Sequence, residues 1–165
     1  MSMEEKYVID ASSLIDLNKF NPLDIYHKPW EKIDQLIENN LLFSPVEVFK
    51  ELVIKDDLLA EWVKKHKKMF KPITKRQTEI VSEILKAYPS IINVKKENAA
   101  DPWVIALAVE LTEPKKQTTL ITVKWLVITE EQKRGVRVKI PLICENYKIE
   151  CLKIFDMFRR KGWKF

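Results

Sequence analysis

Short β-branched runs that close on a carboxylate alternate along this chain with amphipathic helical stretches, and that alternation constrains the fold more than any other feature. Residues 7–10 (Tyr-Val-Ile-Asp) read as a short buried strand ending on Asp10. Residues 118–129, rich in Thr, Val, Ile and Leu, read as one long strand or two short ones running into Glu130 and Glu131. Leu41-Leu42-Phe43, residues 136–140 and residues 149–154 supply further strands, and residues 91–94 suit a strand or a loop equally. Strand and helix in alternation favour a mainly parallel sheet covered on both faces, a three-layer α/β/α sandwich.

The intervening segments carry helical spacing and helix-start signals. Ala11-Ser12-Ser13 reads as a polar turn before a short helix over 14–20, and Pro22 and Pro29 bracket a loop. Trp30, Ile33, Leu36 and Ile37 mark one face of a helix over 30–39. Ser44 as N-cap and Pro45 at the first helical position open the next, with Val48, Phe49, Leu52 and Val53 inward. Asp56 or Asp57 caps another, closed by the cations of Lys64–Lys68. Residues 74–88 form an amphipathic helix that Pro89 stops. Asp101 as N-cap and Pro102 at the first position open an almost wholly apolar, hence buried, helix. Residues 141–146 and 156–161 suit two last short helices.

Composition narrows the function classes. At 165 residues and 46% hydrophobic content the chain suits one domain over 1–165 with a sizeable core. No apolar run approaches the roughly 20 residues a bilayer span needs, and the N-terminus lacks a signal-peptide layout, so a cytoplasmic protein without a membrane partner is expected. The two glycines, Gly135 and Gly162, exclude a glycine-rich phosphate loop and with it NTPases and dinucleotide enzymes. His27 and His66 lack ligand spacing, and Cys144 and Cys151 read as buried thiols. The net charge of +5 fits a polyanionic partner such as nucleic acid without requiring one.

In open α/β sheets, chemistry collects at the carboxyl ends of the strands. Asp10 and Glu130/Glu131 fall there, and Glu51 and Asp101 stand on helices that could point to the same edge. Carboxylates that meet repel unless protons or a cation compensate. Oxygen-only ligands suit Mg2+ or Mn2+, which can activate water and offset charge on a phosphodiester. Each acid also has an ordinary reading: Asp10 as a turn residue, Asp101 as a helix cap, Glu51 as a surface partner of Lys55, and Glu47 as a plain surface acid.

Four stretches carry a more specific signal. Tyr7-Val-Ile-Asp10-Ala-Ser12-Ser13-Leu-Ile resembles the opening strand and turn of PIN-domain nucleases. Ser44-Pro-Val-Glu-Val-Phe-Lys-Glu51-Leu52 is similar to their second acidic motif, and Ala100-Asp101-Pro-Trp-Val-Ile-Ala106 to their central one. Val127-Ile-Thr129-Glu130-Glu131 resembles the strand-end motif in which Thr is followed two residues later by an acid. The closing stretches, residues 139–145 and 155–163, resemble a stand-alone microbial PIN subfamily of unknown function. The resemblance implies a PIN-like sandwich and a metal-dependent endoribonuclease, often the VapC-type toxin of a toxin–antitoxin pair. RNA would be the substrate, a small antitoxin and a second copy of the chain the partners. Asp10, Glu51, Asp101 and Glu131 would be the catalytic and Mg2+- or Mn2+-binding residues, supported by Ser12, Thr129 and Glu130. The last acid of the pattern is usually Asp; Glu stands here, and Glu130 competes with Glu131 for that place. The alternative is a PIN fold of weak catalytic power that binds RNA or a partner protein. A haloacid-dehalogenase-like phosphatase also opens on a strand ending in Asp, but Ser12 stands where that chemistry wants a second Asp.

Overall fold

The computed structural model describes residues 3–55, 57–91, 99–114, 122–132 and 138–165. Among the described residues, five strands form one all-parallel sheet in the order β3-β2-β1-β4-β5. The strands are β1 (Met3–Ile9), β2 (Leu42–Pro45), β3 (Phe70–Lys71), β4 (Thr122–Ile128) and β5 (Glu150–Leu152). The helices are α1 (Ala11–Phe20), α2 (His27–Glu38), α3 (Val46–Val53), α4 (Leu58–Lys65), α5 (Lys75–Ala87), α6 (Asp101–Thr112), α7 (Ile140–Asn146) and α8 (Ile154–Arg160). From β1 the chain winds outward through β2 to β3, then crosses back to β4 on the other side of β1 and on to β5. Right-handed crossovers in opposite directions put helices on opposite faces. Contacts agree: α5, α6 and α7 share one layer, while α1, α3 and α4 pack together on the other, joined by α2 through the Trp30–Trp62 ring contact. The result is the three-layer α/β/α sandwich that the alternation predicts.

The core lies toward the carboxyl half of the sheet. In β1, Tyr7, Val8 and Ile9 are buried while Met3 and Glu4 are exposed; in β4, Leu126, Val127 and Ile128 are buried while Thr122 is exposed. Consecutive buried residues, not alternating ones, are what a parallel strand covered on both faces requires. Helix α6 is apolar nearly all round and lies against β1, β2 and β4. The strand ends that carry acids therefore sit directly on the driest part of the molecule.

Several local expectations give way to the structure. Residues 11–13 are the first turn of α1, because Asp10 caps the helix immediately, accepting from Ala11 N–H. Pro29 lies in the first turn of α2, where the missing N–H would be unbonded anyway. Ser44 and Pro45 end β2 and α3 starts at Val46; the Ser44 hydroxyl, instead of capping, donates to the Ile9 carbonyl at 2.7 Å. Asp57 caps α4, accepting from Ala60 N–H at 2.9 Å; Asp56 lies outside the described residues. Asp101 belongs to the first turn of α6, and Ala100 occupies the cap. Ile140 opens α7 and Val138-Lys139 are not strand; residues 136 and 137, like 92–94 and 118–121, lie outside the described residues. Residue 154 belongs to α8, so the last strand is shorter than the 149–154 expected. Strand β3 has two residues, too few to show a period in sequence.

Ser44→Ala removes a fully buried hydrogen bond that ties β2 to the end of β1. We expect it to lower unfolding stability by about 1–2 kcal/mol, read as a shift of the urea midpoint at constant slope.

Candidate metal centre

Strands β1 and β4 are neighbours in space, yet the chain leaves them in opposite directions. Their carboxyl ends thus form the topological switch point of the sheet, the crevice where open α/β folds bind ligands. The pairing of Ile9 with Ile128 puts Asp10 level with Thr129, and Asp10 N–H donates to the Ile128 carbonyl at 2.8 Å.

Asp10 is 4% exposed and heavily bonded. Its Oδ1 accepts from Ala11 N–H at 2.8 Å. Its Oδ2 accepts from the hydroxyls of Ser12 at 2.8 Å and Thr129 at 3.0 Å. Those hydroxyls in turn accept from the next backbone groups: Ser12 Oγ from Glu130 N–H at 3.0 Å, and Thr129 Oγ1 from Glu131 N–H at 3.2 Å. Two short side chains thereby lock the end of β4 to the start of α1, with the Asp10 carboxylate between them.

Asp101, at the start of α6, is 6% exposed. One carboxylate oxygen each from Asp10, Asp101 and Glu131 lie within 4.8 Å of one another. Such a cluster is electrostatically costly. Burial pushes the Asp10 carboxyl up to about 6, with the negative charge of Glu131 adding to it against the hydrogen bond from Ser12. Burial pushes Asp101 higher still, reinforced by Asp10 and Glu131. No basic side chain is among the main influences on either group. Glu51, half-buried on α3, stands outside the 4.8 Å cluster but within electrostatic reach: burial and then Asp10 raise it, Lys55 opposes, and Glu51 in turn raises Asp101.

The two adjacent glutamates take different work. Glu131 joins the cluster while its Oε2 accepts from Ile140 N–H, the first of α7, at 2.9 Å. Glu130 turns elsewhere: its Oε2 accepts from the Ser13 hydroxyl at 2.6 Å and from Ile154 N–H, the first of α8, at 3.1 Å. The geometry thus places Glu131, not Glu130, with Asp10 and Asp101. Ser13 is fully buried, and no spacing rule in the sequence links it to a residue 117 positions away.

Glu47 and His66 lie elsewhere, as do other charged and aromatic side chains. Glu47 pairs with Lys50 at 3.0 Å on the surface, and His66 pairs with Asp34 at 3.0 Å. Arg159 meets Asp156 at 2.8 Å, and Arg160 meets Glu150 and Glu5 at 2.9 and 3.2 Å. Trp103 and Trp125 pack against the core. Arg134, Gly135 and Arg137 lie outside the described residues.

The donor set fits a hard divalent cation. Two oxygens bound at about 2.1 Å to one Mg2+ stand up to about 4.2 Å apart, so closure from within 4.8 Å needs only small side-chain adjustments. A cation would also replace the protons that repulsion otherwise demands.

The sign of that exchange is testable. Carboxyls raised above their unfolded values stabilise the metal-free fold fully below about pH 4, and that contribution is lost as pH climbs through 6 for Asp10 and beyond for Asp101. Metal-free thermal stability should therefore fall between pH 5 and 8, while the stabilisation given by Mn2+ grows over the same range. At a hundred times its Kd, Mn2+ should add about 2.7 kcal/mol. Asp101→Asn should raise the metal-free melting point at pH 8 and erase the Mn2+ effect. Glu130→Ala should cost about 2 kcal/mol through its two lost hydrogen bonds, measured by urea unfolding.

Among the described residues, no helix is long and apolar enough to cross a membrane. No curated protein matches this chain. A family pattern does match, over residues 7–165, nearly the whole length. The chain belongs to the family described as Domain of unknown function (DUF4411).

Proposed function

We propose that this protein is a PIN-like, metal-dependent endoribonuclease acting at the carboxylate cluster. The observation that carries the reading is the convergence of Asp10, Asp101 and Glu131, from three distant segments, on one buried point at the switch of the sheet. Clustered acids without a basic partner are costly, since burial and mutual repulsion both disfavour their charge. They make sense as ligands of Mg2+ or Mn2+. A cation held there supplies an activated water and stabilises charge developing on a phosphodiester.

The protein's own residues would divide the remaining tasks. Asp10, at the end of β1, and Asp101, in the first turn of α6, would hold the cation. Glu131 completes the set while anchoring α7. Ser12 and Thr129 fix the Asp10 carboxylate through its Oδ2, leaving its orientation little freedom. Glu51, less buried and within electrostatic reach of Asp10, would take a proton or a second share of the cation. The positive net charge favours a polyanionic substrate, and the resemblance of the four acidic motifs to PIN nucleases favours RNA.

Asp10→Asn keeps the shape of the side chain and removes its charge. We expect it to retain the fold by circular dichroism and to lower Mn2+-dependent cleavage of single-stranded RNA at least a hundredfold. Undiminished cleavage would remove Asp10 from the site. An absence of cleavage by the parent protein, together with tight Mn2+ binding, would favour the alternative of a PIN-like binding module.

A further inference from the structure

The two cysteines meet where α7 joins β5. Cys144, on α7, is fully buried, and Cys151, on β5, is half-buried. A tight turn brings them together: Lys148 takes a left-handed conformation with φ 59°, and Ile149 N–H donates to the Cys144 carbonyl at 2.9 Å. The chain thus reverses between the last turn of α7 and β5, and the two elements pack on one another. Strand alternation then aims the side chains. Glu150 turns to the face where Arg160 of α8 meets it, so Cys151, the next residue, turns to the other face, which α7 covers. The Cys144 thiol is held above its ordinary range by hydrogen bonding with the Cys151 thiol, and then by burial. Glu131 and Asp10 add to this, which puts the thiol pair within electrostatic reach of the carboxylate cluster.

A second link ties the pair to the cluster. Helix α7 is only about two turns long. Its first N–H, that of Ile140, is held by Glu131 Oε2 at 2.9 Å, and Cys144 stands one turn further along. A disulfide needs its sulfurs about 2.05 Å apart. Thiols in contact stand further apart than that, so closing the bond draws the last turn of α7 toward β5. So short a helix moves as one piece and carries Ile140 with it. The hydrogen bond that orients Glu131 is then the part of the cluster that shifts, while Ser12 and Thr129 still hold Asp10.

We infer that Cys144 and Cys151 form a reversible disulfide that loosens Glu131 and so lowers the affinity of the cluster for its cation. The inference rests on the reading of the cluster as a metal site. Peroxide is the oxidant class. The less buried Cys151 thiol attacks one peroxide oxygen; the O–O bond breaks, a sulfenic acid forms, and the thiol proton leaves with the second oxygen as water. The Cys144 sulfur then attacks the Cys151 sulfur; the S–S bond forms, the S–O bond breaks, and the Cys144 proton leaves with the hydroxyl as a second water. A small dithiol reverses the change by exchange.

The full chain is exposed to millimolar hydrogen peroxide in EDTA and freed of both by gel filtration. Free thiols are counted by maleimide labelling in denaturant and mass spectrometry, and Mn2+ affinity is measured by calorimetry. The treated parent should lose both labels without cross-linked species on a non-reducing gel. It should bind Mn2+ about tenfold more weakly, the scale on which outer partners of metal ligands act. Dithiothreitol should restore both properties. Cys151→Ser should bind Mn2+ as the reduced parent does, before and after peroxide. Two labels retained by the treated parent would overturn the inference, as would a disulfide that leaves Mn2+ affinity unchanged or a peroxide effect that persists in Cys151→Ser. If the reduced parent binds no Mn2+, the metal reading fails and takes the inference with it. The thiol count, read without metal, keeps those two failures apart.

Discussion

Three carboxylates held within 4.8 Å of one another, two of them almost out of reach of water, set the terms for everything around them. Repulsion and desolvation both push Asp10 and Asp101 toward the protonated form. A fold built only for stability would not keep such a group; removing one member of a buried charge cluster, or covering it with apolar side chains, would serve better. The surroundings instead hold the cluster in place. Hydroxyls from Ser12 and Thr129 fix Asp10, the α6 backbone carries Asp101 in its first turn, and Glu131 is tethered to the start of α7.

The sheet supplies the meeting point. Strand order β3-β2-β1-β4-β5 makes β1 and β4 diverge at their carboxyl ends, and the buried halves of both strands lie just beneath. Helix α6 crosses back over β1, β2 and β4 and brings its N-terminus to that crevice. A helix N-terminus favours negative charge, which lowers part of the cost of Asp101 without removing it. Glu130 links α1, β4 and α8 through Ser13 and Ile154, so the same crevice joins both ends of the chain's winding. The family match extends over residues 7–165, which include all three carboxylates.

Much of this was legible in the sequence, for physical reasons that differ by residue. The parallel sandwich follows from consecutive apolar runs such as 7–9 and 126–128, which only a doubly covered sheet can bury. Asp10 and Asp101 stood out because each interrupts or opens an apolar segment. Other features depend on contacts across more than a hundred residues. Nothing local distinguishes Glu131 from Glu130; the choice is made by Ser13 and by the start of α8, which draw Glu130 aside. Ser44 is a residue type that caps helices, yet its hydroxyl donates to the Ile9 carbonyl, because β2 pairs directly with β1 and brings the two strand ends together. The two-residue strand β3 is defined by its neighbour, not by its own pattern.

A crystal soaked in Mn2+ and measured at the manganese absorption edge tests the central claim most directly. The account predicts an anomalous peak bonded at about 2.2 Å to carboxylate oxygens of Asp10 and Asp101, with Glu131 in or beside its coordination sphere. An empty cluster at millimolar Mn2+, with Asp101 hydrogen-bonded to Glu131 through a retained proton, would contradict it.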